Sequence, residues 1–227
     1  MRKMVLNSFE KLVLLLIVLL LAIGFFLVLT NIDSFEHYVR EDGIVEWLTV
    51  LSLLAAAVIC VKRVVALSRH KGPYFTFTNL VLAVLLVVAA GEEISWGQRL
   101  LGIETPEYFQ QNNLQAETNL HNLKVNGVEI NRLVFSYLLI SALVIYLGAF
   151  PILYKKKEWM RRFVDQWGVP LPQVYQVLGF LVVFVVTAMI PHGKRAELLE
   201  CCACMLFLLV VLYPANAPVF QRPLAAY

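Results

Sequence analysis

Residues 11–30 read KLVLLLIVLLLAIGFFLVLT. After Lys11 no charge interrupts the run, and at helical rise it reaches about 30 Å, the thickness of a bilayer's hydrocarbon core. Arg2 and Lys3 precede it, as they would a secretory signal. A signal, however, has a shorter apolar region and an Ala-x-Ala-like cleavage site. This run instead ends Leu29-Thr30-Asn31, so the expectation is an uncleaved first membrane span.

The rest of the chain agrees. Of 227 residues, 60% are hydrophobic and 15% charged, with mean hydropathy +0.73. An average soluble domain is about half apolar and a quarter charged. Lipid accepts the excess apolar surface as solvent. The sequence therefore predicts one integral membrane domain over 1–227, all-α, with no repeat, linker or separate soluble unit. Leu, Val, Ala and Phe fill the apolar runs without the alternation of a barrel strand. The expected spans are about 11–31, 44–62, 74–91, 132–153, 173–191 and 196–213, making a polytopic bundle of six helices.

Charge orients it. With the N-terminus inside, 13 of the 19 basic residues fall on the inner side and 13 of the 16 acids on the outer side. Cytoplasmic loops hold Lys and Arg, so the expected topology is N-in and C-in. The net charge of +3 conceals this polarity. No basic patch suggests nucleic acid. The expected partners are the bilayer, whose anionic headgroups suit the inner clusters, and a membrane protein partner. KKKEWMRRF (155–163) reads as an inner interfacial anchor, and PANAPVFQRP (214–223) as an irregular tail. The four cysteines, Cys60, Cys201, Cys202 and Cys204, lie within predicted spans, where no disulfide is expected.

The longest loop, 92–131, is outside and reads as structured. Thr105-Pro106-Glu107 has the chemistry of a helix start, with Thr as the cap. Lys124 to Glu129 places Asn-Gly between β-formers, a hairpin signal. The loop opens with GEEISWGQR (91–99). If the third span continues, Glu92, Ser95, Trp96 and Arg99 share one face and Glu92 pairs with Arg99. Glu93 then points elsewhere. Further acids and histidines fall on the same outer rim: Glu46 in EDGIVEWLT (41–49), Glu117 and His121 in QAETNLHNL (115–123), His192 after Pro191, and Glu197 and Glu200 in AELLECCAC (196–204). Glu117 and His121 would share a helical face. Glu197, Glu200, Cys201 and Cys204 form one stripe. Acids can simply mark where a helix meets water, but ionisable groups at membrane depth usually face the bundle interior or a wet cavity.

Such a pocket suits two chemistries. His and Glu could ligate a divalent metal that activates water, with Glu93, Glu117, His121, His192, Glu197 and Glu200 as candidate ligands. Alternatively a glutamate could act as general base on water, with His as the polar partner. Glu92, Glu93, His121 and His192 are the candidate catalytic set. The Glu-Glu, aromatic and Arg pattern of EEISWGQR resembles the first motif of the CAAX-type prenyl protease and bacteriocin-processing membrane protease family. That resemblance implies a glutamate that activates water and later histidines at His121 and His192, although Arg99 lies six residues after Glu93, beyond the family's spacing. EDGIVEWLT, GEEISWGQR and ETNLHNL also resemble uncharacterised bacterial multi-pass inner-membrane proteins, which implies that location and no activity. The expected function is a membrane-embedded hydrolase acting on a lipid-linked or membrane-borne substrate. The alternatives are a non-enzymatic subunit or scaffold that binds a partner through the outer loop, and a proton or cation path.

Overall fold

The first helix, α1 (Ser8–Thr30), begins where the chain supplies its own cap. Asn7 Oδ1 accepts from the Glu10 amide at 2.9 Å, and Glu10 Oε2 accepts from the Asn7 amide at 2.8 Å. This reciprocal pairing satisfies two of the amides that a helix start leaves open. A computed structural model provides the structure, which describes residues 6–125, 128–130 and 138–222. Asn31 ends α1 and caps α2 (Ile32–Tyr38) through its side chain. Then α2 folds back on α1, and Tyr38 donates to the Leu20 carbonyl at 3.2 Å. Two long helices follow, α3 (Ile44–Leu67) and α4 (Pro73–Glu93). The loop after them holds α5 (Gln98–Leu101), α6 (Glu107–Asn112) and a two-stranded hairpin, β1 (Lys124–Val125) with β2 (Val128–Glu129).

The remaining chain is α7 (Leu139–Val144), a π turn (Ile145–Ala149), α8 (Phe150–Lys156), α9 (Glu158–Trp167), α10 (Val174–Ala188) and α11 (Arg195–Leu212). The π turn has a local cause. Pro151 lacks an amide hydrogen and its ring crowds the carbonyl four residues back, so the wider turn just before it lets the rod from Leu139 to Lys156 stay helical.

The protein is all-α apart from that small hairpin. Among the described residues four helices are long and apolar enough to cross a membrane: Ser8–Thr30, Ile44–Leu67, Pro73–Glu93 and Leu139–Lys156. Their outward faces carry Leu12, Phe26, Val65, Val84 and Val144, all largely exposed, which lipid tolerates and water does not. The segments expected at 173–191 and 196–213 are also helical, but differ in kind. With 15 residues, α10 spans only about 22 Å. The 18 residues of α11 include Arg195, Glu197 and Glu200. Residues 132–137 of the expected fourth span lie outside the described residues.

The centre of the bundle is α11. Its Leu198, Cys201, Cys202, Leu206, Leu209, Val210 and Val211 are all fully buried, so beyond its first turns it is enclosed as a core helix is. It packs against α1, α3 and α10, while α4 packs on α3. One cluster joins α1, α10 and α11, and a second joins α3, α4 and α11.

Polar contacts tie each end of the bundle. At one end Tyr175 of α10 donates to Glu10 of α1, and Gln176, fully buried, donates to the carbonyls of Leu209 at 3.0 Å and Tyr213 at 3.3 Å. Arg63, at the end of α3, donates to the Val211 carbonyl. Asn216 holds the tail expected to be irregular: it accepts from the Leu171 amide and donates to the Val169 carbonyl, both at 3.0 Å, before a 3-10 turn over Ala217–Phe220. The interfacial segment expected at 155–163 becomes α9, with Trp159 exposed, Met160 and Val164 buried, and Trp167 stacked on Tyr74 at 4.8 Å. Starts of α1, α4 and α10 thus share an end with the finishes of α3 and α11. Successive long helices run antiparallel.

One sequence expectation changes here and another is met. Thr105 does not cap α6; Pro106 holds that position, and Thr105 donates instead to the Ala116 carbonyl at 2.7 Å. The hairpin forms in the register Lys124 to Glu129 and Val125 to Val128, while its Asn126-Gly127 turn lies outside the described residues.

At the end of α9 the chain turns through Gly168 at φ +62°, a left-handed cap, and a Cβ there would sit 2.2 Å from the Phe75 ring. Gly168→Ala is expected to cost about 2 kcal/mol or more through strain and overpacking together. Thermal unfolding of the detergent-solubilised protein measures it, and an unchanged midpoint would contradict this packing.

Candidate carboxylate site

The continued helix expected after Gly91 does not form. Glu93 is the last residue of α4, and Ser95, Trp96 and Gly97 follow at φ +46°, +56° and +77°. Three consecutive left-handed residues, two of them not glycine, reverse the chain at a cost that surrounding contacts must offset. Those contacts are present. The Trp96 ring folds back over Gly91, where a Cβ would meet it at 2.8 Å, and its Nε1 donates to Glu92 Oε1 at 2.8 Å. Glu92 and Arg99 therefore do not pair. The reversal separates the faces that a continuous helix would have aligned.

Glu92 holds the loop instead. Its Oε2 accepts from the amides of Leu120 at 2.5 Å and His121 at 3.1 Å. The second expected helical face also fails, because 114–122 is a series of turns and no helix brings Glu117 and His121 together. Glu117 turns to Arg99, and His121 sits by Glu92.

Arg99 becomes the centre of a carboxylate ring. Its guanidinium donates to Glu117 at 2.7 and 2.8 Å, to Glu46 at 2.6 Å and to Asp42 at 3.0 Å, with Glu41 at 3.7 Å. The turn before α3, the start of α3 and the outer loop are joined through one side chain. Burial opposes its charge, but the hydrogen bonds to Glu117 and Asp42 and the nearby charges of Glu46 and Glu117 outweigh it and raise its pKa above the ordinary value. Ser95 donates to Glu117, and Asn119 donates to Ser95 Oγ at 2.8 Å. Asn113 donates to Asn119 Oδ1 at 2.9 Å. Gln98 donates to Thr105 and accepts from the Thr118 amide at 2.7 Å. These buried polar groups satisfy one another, as a rigid network requires. The sequence reading singled out neither Gln98 and Asn113 nor the bracing role of Asn119. Their signal was the density of amide side chains around a Gly-bearing turn.

Three acids stand apart. Glu93 lies within electrostatic range of Glu197 and Glu46, and Glu200 within range of Glu93 and Glu197. Glu93, Glu197 and Glu200 have no hydrogen-bond or ion-pair partner among the described residues. The polar atoms that are both sealed and unpartnered are Arg63 Nη1, Thr78 Oγ1 and Asn79 Oδ1. The oxygens of the three acids are absent from that set, so they keep access to open space. Cys201 lies beside Thr49 on α3, and Cys204 lies within range of Glu93 and Glu200. The predicted stripe on α11 thus faces the ends of α3 and α4.

The six proposed metal ligands divide among three groups. Glu117 is held by Arg99 and Ser95, and His121 lies beside Glu92. His192 contacts Glu36 at 3.1 Å and packs edge-on to Phe35 at 5.3 Å. Glu93, Glu197 and Glu200 form the third group. Among the described residues no three His, Cys, Asp or Glu side chains are placed to hold a metal ion. The reason is that the nearest cation, Arg99, and the loop amides already occupy Glu117 and Glu92. No protein-family model matches the chain, and no curated protein or solved structure matches it.

Removing Arg99 would leave Glu46 and Glu117, both largely buried, without their cation. Arg99→Ala is expected to loosen the outer loop by about 2–3 kcal/mol, below the cost of a fully buried pair because Arg99 keeps some water contact. Amide exchange at Thr118, Leu120 and His121 reads this out, and unchanged protection would contradict the bracing role.

Burial pushes the His121 imidazole below its ordinary pKa, with Glu92 opposing. The unfolded loop then binds its proton more readily than the folded one. Loop stability should be fully present above the ordinary histidine value, about 6.5, and fall as pH drops through it. His121→Gln should flatten that dependence in the same exchange measurement.

Proposed function

We propose that the chain is a six-span bacterial inner-membrane protein, N-in and C-in, and a glutamate-dependent hydrolase acting on a lipid-linked or membrane-borne substrate at the outer face. The antiparallel order of the helices and the distribution of Lys and Arg support this orientation. On this reading α10 and α11 complete the bundle despite their length and charge, because α11 is shielded by its neighbours.

One observation carries the chemistry. Glu93, Glu197 and Glu200 are brought together from two helices, unpartnered, with their oxygens accessible. Like charges gathered at this depth are costly, and ionisable groups kept there mark a functional site. Glu93 is the general base: it takes a proton from water as the water oxygen bonds to a carbonyl or phosphoryl centre, and it returns that proton to the leaving oxygen or nitrogen as the scissile bond breaks. His121, held neutral by burial, is a polar partner at the same rim. Glu92 positions the loop and does no chemistry. His192 belongs to the α2 contact and takes no part. The donor geometry gives the metal-assisted version less support, and no cofactor enters the proposal.

Heavy-oxygen water tests it. Protein in liposomes made from total membrane lipids, or mixed with membrane peptides, is expected to place the label in a product. Glu93→Gln should lower labelling at least about a hundredfold, while Asp33→Asn on α2 leaves it unchanged. Equal labelling by Glu93→Gln and the native protein would end the hydrolase reading.

A second reading rests on its own observation. Trp96, Leu100, Leu101, Ile103, Leu114 and Leu120 are all more than half exposed on the braced outer loop. A rigid platform with an apolar surface suits a scaffold that binds a membrane protein partner. Leu101→Asp would then release a co-purifying subunit without affecting membrane insertion.

A further inference from the structure

Arg63 is 9% exposed, near the finish of α3, and among the described residues no carboxylate lies within ion-pair distance of it. Its Nη2 donates to the Val211 carbonyl, the Phe220 ring covers its guanidinium at 3.8 Å, and its Nη1 is sealed and unpartnered. An arginine does not shed its proton, so this is a buried positive charge lacking a counter-ion.

A groove of about 400 Å³ lies alongside. Phe77, Thr78, Val81, Leu82 and Leu85 of α4 line it, closed by Tyr146 and by Phe207 of α11. Two links join it to Arg63: Tyr146 is within electrostatic range of the guanidinium, and Val211 lies one turn beyond Phe207. Thr78 Oγ1, also sealed and unpartnered, belongs to the same wall. The groove is apolar and large enough for a flexible chain. Lys62 precedes Arg63 on α3, and Arg69 and Lys71 stand in the turn between α3 and α4.

We propose that Arg63 and this groove bind one anionic phospholipid, its phosphate on the guanidinium and an acyl chain between α4 and the Leu139–Lys156 rod. The charge decides the occupant. A zwitterionic lipid would fill the groove but bring its own ammonium beside the phosphate and so compensate Arg63 only in part, and a free phosphate would compensate Arg63 yet leave the groove empty. A phosphate oxygen reaches Nη1 when Phe220 lifts from the guanidinium face, exchanging a cation–π contact for a charge-assisted hydrogen bond. Basic pockets between spanning helices on the cytoplasmic side recognise lipid headgroups in this way. The assignment is independent of the hydrolase reading and concerns the opposite end of the bundle.

Native mass spectrometry of the full chain from mixed phosphatidylglycerol and phosphatidylcholine nanodiscs tests it. The native protein is expected to retain phosphatidylglycerol about tenfold or more over phosphatidylcholine. Arg63→Gln should erase that preference, and Val81→Trp, which fills the groove at an exposed position, should weaken retention of both lipids. Lys62→Gln, an exposed neighbouring cation, should retain the native preference. Equal retention by Arg63→Gln overturns the proposal. So does a Lys62→Gln loss as large as that of Arg63→Gln, which would indicate only diffuse surface charge. Thermal stabilisation by inorganic phosphate equal to that by phosphatidylglycerol would assign the site to a free anion and overturn the lipid.

Discussion

A single guanidinium organises one end of this protein. Arg99 gathers carboxylates from the turn before α3, from α3 itself and from the loop between α4 and the Leu139–Lys156 rod. Without that cation, Glu46 and Glu117 would repel across a poorly hydrated space. With it, the loop becomes a wall. Arg99 can reach all of them only because the chain reverses at Ser95, Trp96 and Gly97, and that reversal is held by Trp96 on Glu92. Each feature requires the next, so strain at the left-handed residues is offset by a network several side chains wide.

The same wall separates acids by role. Glu92, Glu117 and Glu46 are satisfied and structural. Glu93, Glu197 and Glu200 are left to one another and to water. Adjacent residues such as Glu92 and Glu93 therefore have opposite fates, decided by whether an amide or a cation reaches them. The unpartnered set gives the proposed base its place, and the braced loop gives His121 its position.

The helical membrane character was legible because it needs only length and apolarity, which residues 11–30 carry openly. The gathering of acids on α11 was legible too, since spacing places Glu197, Glu200, Cys201 and Cys204 on one stripe. What spacing could not supply was the end of α4. A reading that extends helical periodicity past Gly91 pairs Glu92 with Arg99, and local propensity gives no warning that Ser95 and Trp96 adopt left-handed geometry. That choice is made by partners distant in sequence: Glu117, Asn119 and the amides of Leu120 and His121. Arg63 was counted among inner-side cations, but its burial beneath Phe220 depends on the far end of the chain.

The placement of α11 has a consequence for biogenesis. A helix bearing Glu197 and Glu200 enters lipid alone at a penalty of about 2–3 kcal/mol for each acid that reaches mid-depth. It is made after its neighbours, and the short α10 ahead of it is a weak membrane segment by itself. On the proposed six-span reading, the two enter as a helical hairpin once α1, α3 and α4 offer a protein-lined vacancy in place of lipid. Synthesis order then acts as a folding instruction: the greasy helices arrive first and build the solvent that the charged one needs.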